Sequence, residues 1–120
     1  MVGDAVATAS RYEPTDLPWE PPKIGELAYL STADPRDPLV FPGEHADVLA
    51  RFPPTLLVTG SRDFAASSVT TMHRRLRAAG VDASLLHFDG MWHAFHMATT
   101  LPEARETFGA LSDFFTAHLT

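Results

Sequence analysis

Asp63 and His93 are the residues whose types and spacing most directly suggest chemistry. Asp63 stands in TGSRDF and His93 in FDGMWHAF, each just past a short apolar run. A carboxylate held against an imidazole fixes the tautomer and orientation of the ring, and it stabilises the imidazolium formed when the ring takes up a proton. Such a pair is the acid–base half of a nucleophilic triad and needs a hydroxyl or thiol to act on. The chain has no cysteine. Its serines are Ser10, Ser31, Ser61, Ser67, Ser68, Ser84 and Ser112, and none lies between glycines as G-x-S-x-G. Ser61 shares the turn of Asp63, from which it hardly approaches the far side of the imidazole. We therefore expect no nucleophile in this chain.

Each of these residues also has a plainer role. An aspartate after Gly-Ser at a strand end is a common turn former, and a histidine among aromatic residues is often a packed, hydrogen-bonded ring. Trp92 and Phe95 flank His93 and are expected to wall the site as substrate-pocket residues or to pack beneath it. His93 and His96 form an H-x-x-H, but only His87 and Asp89 lie nearby to complete a zinc set, and the pair sits in a loop rather than on a helix. No metal is expected. Asp34 and Asp37, in DPRDP, read as turn formers.

The elements that must position Asp63 and His93 lie in the second half of the chain. TLLVTG (55–60) has the apolar, branched character of a buried strand closed by Gly60. Ser67 or Ser68 is placed to cap a helix with Val69, Met72, Leu76 and Ala79 on its apolar face, Arg74, Arg75 and Arg77 turned outward, and Gly80 at its end. ASLLHF (83–88) reads as a second strand. Thr100 and Glu103 form a capping-box pattern around Pro102, opening a helix to about His118 with Ala104, Phe108, Leu111 and Phe115 on one face. Strand, helix, strand, helix with long crossovers is α/β architecture with parallel pairing. Active sites of such sheets gather at the carboxyl ends of the strands, where Asp63 and His93 fall.

Residues 1–54 are different. They hold Pro14, Pro18, Pro21, Pro22, Pro35, Pro38, Pro42, Pro53 and Pro54, each lacking a backbone donor, so a mostly irregular lead-in segment is expected, with a helical turn or two over Glu44 to Leu49. So long an irregular stretch is uncommon in a compact autonomous domain, and 55–120 then form the βαβα portion of a larger unit.

PPTLLVTGSRDF, RLRAAGV and LLHFDGMWHAF together resemble the C-terminal part of an α/β-hydrolase, more narrowly the hormone-sensitive-lipase family of esterases, also called the bacterial acetyl-hydrolase or lipase group. DPRDPLVFP (34–42) resembles that family's proline-rich approach to its seventh strand, and the resemblance spans about residues 27–118. It implies that Asp63 occupies the position of the catalytic acid after the seventh strand and His93 that of the catalytic histidine after the eighth. It also implies short- to medium-chain acyl esters as substrates and no cofactor. The sequence departs from the family after the acid, where Phe64-Ala65-Ala66-Ser67-Ser68 replaces the usual proline, leucine and acidic residues. It also lacks the elbow serine and the HGG-type oxyanion loop. The family's strands that carry those motifs would precede Met1.

Composition narrows the remaining classes. A net charge of −6 argues against a nucleic-acid groove, and no apolar run approaches the roughly 20 residues needed to span a bilayer. MVGDAVATAS lacks the pattern of a signal peptide, and the absence of cysteine fits a reducing compartment, so a soluble, cytoplasmic protein is expected. Two functional classes stay open. One is a segment of a serine carboxylic-ester hydrolase that is inactive until an elbow serine is supplied by another polypeptide. The other is a non-catalytic fragment that self-associates or binds a small molecule. Partial uncovering of Leu56, Leu57, Val58, Leu85 and Leu86 would favour homo-oligomers.

Overall fold

The computed structural model describes residues 31–34 and 36–119. The expectations for Pro14, Pro18, Pro21, Pro22 and Pro35 lie outside the described residues. Pro42–Glu44 forms a 3-10 turn, followed by the short helix α1 (Ala46–Leu49). Then come β1 (Thr55–Arg62), α2 (Ala66–Ala78), β2 (Ala83–Trp92), a second 3-10 turn at Phe95–Met97 and α3 (Pro102–His118). Asp34 and Asp37 each accept a backbone N–H two residues on, from Arg36 and Leu39, both at 2.8 Å. These are side-chain-closed turns, which hold the Pro-rich approach without a sheet or helix ladder.

β1 and β2 pair in parallel, with Thr55 opposite Ala83 and Gly60 opposite Phe88. Both strands outrun the apolar segments that announced them. β1 passes through Gly60 to Arg62, and β2 continues through Asp89, Gly90 and Met91 to Trp92. Gly60 is no terminator, because pairing resumes at Arg62 opposite Trp92. Ser61 alone therefore faces Asp89, Gly90 and Met91, a bulge in β2. Its geometry needs the left-handed Gly90, at φ 74°. Gly60 is needed for a separate reason: a Cβ there would lie 2.1 Å from the Met91 carbonyl oxygen.

The core is small. Leu49, Leu76, Val81 and Ala83 are buried, with Phe52, Leu57, Met72 and Ala79 packed against them. α2 ends as its sequence expects. Gly80 takes φ 84°, its N–H bonds the Arg77 carbonyl at 3.1 Å, and the Val81 N–H reaches back to Leu76 at 3.0 Å. This pair of bonds satisfies the last carbonyls while Val81 meets Leu76 in the core. Leu56, Leu57, Val58, Leu85 and Leu86 are only half-buried.

Four local expectations need correction. Ser67 and Ser68 lie inside the first turn of α2 rather than at its cap, and the Ala65 N–H is taken up by the Asp63 carboxylate at 2.8 Å. Arg75 does not turn outward with Arg74 and Arg77. Its guanidinium bonds the Gly43 carbonyl at 2.6 Å and Glu44 at 2.8 Å, tying α2 to the lead-in segment. The Thr100–Glu103 capping box does not form: Leu101 is the cap residue, without a side-chain bond, and Pro102 at the first helical position starts α3. The buried stripe of α3 runs through Ala104 and Thr107, whereas Phe108 and Phe115 are 48% and 51% exposed. Small side chains admit the close approach of α3 to the turn at Phe95, where Phe108 meets His96 edge-on at 6.3 Å with about half its surface left in solvent.

Candidate functional site

The end of β1 and the end of β2 together build the site. Past the bulge, β2 runs on far enough for His93 to arrive over the turn at Asp63, and its Nδ1 lies 2.8 Å from Asp63 Oδ1. Ser61 stitches the bulge. Its hydroxyl donates to Asp89 at 2.7 Å and accepts the Gly90 N–H at 2.6 Å. The Ser61 hydroxyl and, after it, the Gly90 backbone N–H hold the Asp89 carboxyl below its ordinary range. Its two bonds give Ser61 a structural occupation away from the imidazole.

Asp63 is 6% exposed, and its own turn is closed by its N–H bonding the Gly60 carbonyl at 3.0 Å. Among the described residues three donors meet its carboxylate: the Ala65 N–H and His93 Nδ1 on Oδ1, and the Thr59 hydroxyl on Oδ2 at 2.9 Å. Burial pushes the carboxyl up, but the Ala65, His93 and Thr59 bonds outweigh it and hold the group below the usual aspartate value. Asp63 is thus ionised at neutral pH, so the neutral imidazole must carry its hydrogen on Nδ1, leaving Nε2 as the nitrogen free to exchange a proton.

His93 remains 52% exposed at its side chain. The Phe64 ring covers one side, with centroids 4.2 Å apart and planes tilted by 33°. Directly after His93, Ala94 adopts a left-handed backbone at φ 58° and opens the turn of Phe95–Met97. That reversal drives Phe95 inward, to 1% exposure, where it packs on Phe88 at 5.2 Å. Phe95 therefore lies beneath the pair, while Trp92, 49% exposed, sits at the strand end opposite Arg62. A hollow of about 160 Å³ adjoins the pair, lined by Val58, Thr59, Ala65, Val69, Phe95 and His96 among others. The larger groove of about 350 Å³, by Gly43, Leu49 and Arg75, carries neither Asp63 nor His93.

Thr59 and Phe64 were not singled out from the sequence as site residues. Thr59 is the hydroxyl-bearing residue at the buried end of the otherwise apolar TLLV, and a 2% exposed threonine in a strand needs a partner for its donor. Phe64 is visible only as the residue that departs from the resembled family's pattern after the acid. Among the described residues no three His, Asp or Glu side chains converge as a metal site, and none of the helices is long and apolar enough to cross a membrane.

A parallel strand pair joined by a helix, with an acid and a histidine at the strand ends, is the layout of the α/β-hydrolase fold. A family profile described as alpha/beta hydrolase fold matches residues 5–97, and this chain belongs to that family, in its C-terminal part. Two relatives carry the name esterase. A protein named esterase from Gibberella moniliformis (strain M3125 / FGSC 7600) is 36% identical over 73 residues, which are 59% of this chain and 23% of that protein. The crystal structure of an esterase E25 matches with a TM-score of 0.67 at 37% identity, covering 75% of this chain and 27% of the other. The chain thus spans about a quarter of the length of each of these relatives.

Proposed function

We propose that this chain supplies the acid–base half of a serine carboxylic-ester hydrolase. In that reading His93 is the general base that takes the proton of a serine hydroxyl through Nε2 and then returns it to the leaving alcohol. Asp63 orients the ring and stabilises the imidazolium. The observation that carries the reading is the 2.8 Å bond from an exposed imidazole to a buried carboxylate at adjacent parallel strand ends. Because the sequence holds neither a G-x-S-x-G elbow nor an HGG loop, the isolated chain is inactive and the serine comes from another polypeptide segment. No cofactor is called for.

The test pairs this chain with a separately produced segment of an esterase relative that carries the elbow and oxyanion loop. A short-chain p-nitrophenyl ester is the substrate. Alone, the chain and its His93→Ala variant should give equal background rates. Together with the segment, turnover should appear and vanish in His93→Ala. Turnover by the chain alone that is lost in His93→Ala would overturn the inactivity claim, and a mixture that never turns over would sink the esterase reading. A cytoplasmic location is proposed on the lack of cysteine, and cell fractionation tests it.

A second reading rests on a different observation. Phe108 and Phe115 on α3 and Leu119 just past its end stand 48%, 51% and 78% exposed, and they favour a self-associating chain. A small-molecule-binding role is poorly served by the hollow near His93, whose 160 Å³ falls short of the roughly 300 Å³ at which ligand pockets begin.

A further inference from the structure

Two of the three donors on Asp63 fall on a single oxygen. The Ala65 N–H and His93 Nδ1 both reach Oδ1, each at 2.8 Å. Bonds to one atom fix a point but not a plane, and the terminal torsion of an aspartate is a broad rotor. What sets the plane is the bond on the other oxygen, from Thr59 Oγ1 to Oδ2 at 2.9 Å. Thr59 suits this task. It is β-branched and so stiff at χ1, 2% exposed, and lies in the paired body of β1 opposite His87. Its neighbours in type behave differently. Thr107 and Thr116 satisfy their hydroxyls on carbonyls four residues back in their own helix, an outlet that a strand denies Thr59.

Given the acid–imidazole reading above, on which it rests, we propose that Thr59 is a positioning residue: its hydroxyl locks the plane of the Asp63 carboxylate and thereby holds His93 in the Nδ1–H tautomer that leaves Nε2 free to act as base. Thr59 touches neither the imidazole nor a reacting atom; it acts through Asp63. The role belongs to the hydroxyl and not to the shape of the side chain, so serine should preserve it and the near-isosteric valine should abolish it.

Imidazole 15N shifts of the labelled chain at neutral pH report the tautomer share of His93 without any substrate. The unsubstituted chain should show mainly the Nδ1–H form. In Thr59→Val the ratio of the Nε2–H to the Nδ1–H form should rise by about fivefold, the effect of one ordinary hydrogen bond, and the midpoint of the Asp63 carboxyl signal should move up. Thr59→Ser should restore both. A valine variant indistinguishable from the parent, or a serine variant that restores nothing, would overturn the proposal. Should Thr59→Val fail to fold, the parent chain decides. The side-chain signals of Thr59 must follow Asp63 through its titration, and signals that stay flat refute the contact. Dependence of the tautomer on Thr59, together with a failure of every elbow-bearing segment to restore ester turnover, would keep the positioning role and remove the esterase reading alone.

Discussion

His93 Nδ1 and Asp63 Oδ1 lie 2.8 Å apart across a boundary between solvent and interior, the imidazole side chain 52% exposed and the carboxylate side chain 7%. The exposed partner is left to meet a reactant while the buried one is fixed by donors from its own strand and helix. Division of labour between a mobile proton and a stationary charge is what a triad requires of these two groups.

The first consequence is a pH dependence of stability. Hydrogen bonds hold the Asp63 carboxyl below its ordinary value of 3.8 in the folded chain, so the unfolded chain binds that proton more readily. The contribution is complete above the unfolded midpoint and is lost as the pH falls through it toward the lower folded midpoint. Urea denaturation at about pH 5 and about pH 3 should show the parent losing stability with acid. Asp63→Asn should be less stable than the parent at neutral pH, by about 1–3 kcal/mol for the disrupted buried bonds, and should show a flatter acid profile. An unchanged acid slope in the variant would assign the loss to other carboxylates.

Gly60 supports the site from behind. A Cβ there would stand 2.1 Å from the Met91 carbonyl oxygen and 2.6 Å from its carbon, and backbone on the paired strand cannot yield as a side-chain tip can. Gly60→Ala should therefore cost about 3 kcal/mol or more and should shift the register at the bulge. Loss of the NMR contacts between Phe64 and His93 would report the separation of the two loops. A variant of parental stability with those contacts intact would mean that the strand ends are far softer than their packing indicates.

Ala94 tests strain beside the histidine. Its φ of 58° is a conformation that costs an L-residue about 1–2 kcal/mol, partly recovered when glycine replaces alanine and partly lost to the freer unfolded chain. Ala94→Gly should stabilise the chain by about 0.5–1 kcal/mol, and Ala94→Val should destabilise it. Thermal melts of the two variants against the parent give the signs. Stabilisation by valine would show that the turn after His93 is not held left-handed.

How much of this was legible beforehand differs from residue to residue, and the differences have physical causes. TLLV and SLLHF announced strands because branched and apolar residues run together, and Gly80 announced a helix end because it alone relieves a positive φ there. Asp63 and His93 could be placed at strand ends by topology. The bulge was hidden, since FDGMW carries no alternation that separates a strand continued through Gly90 from a loop beginning at it. The face of α3 was misjudged for another reason. Hydrophobic spacing places Ala104 on the buried face, as it is, but also nominates Phe108 and Phe115, whereas close approach selects the small Thr107 beside Ala104, each at most 1% exposed. Thr59 was overlooked because a hydroxyl gains its meaning from the partner four residues on, which only the turn geometry brings back to it.

The two phenylalanines lead to the last expectation. Phe108 and Phe115 are one heptad apart on α3, each about half exposed, and Leu119 just past the helix end is 78% exposed. A contiguous apolar stripe of that kind marks an interaction surface or an aggregation liability. Replacing both phenylalanines by glutamate removes the stripe at the cost of the edge contact between Phe108 and His96, while Ala104 and Thr107, the buried residues of α3, stay in place, so the fold should survive while self-association falls. Sedimentation velocity across a tenfold concentration range should show the parent as oligomers and Phe108→Glu/Phe115→Glu as a smaller species. A parent that stays monomeric throughout would refute the self-associating reading. An oligomer unaffected by the double substitution would move the contact elsewhere, with the half-buried Leu56 and Leu86 of the two strands as the next surface to substitute.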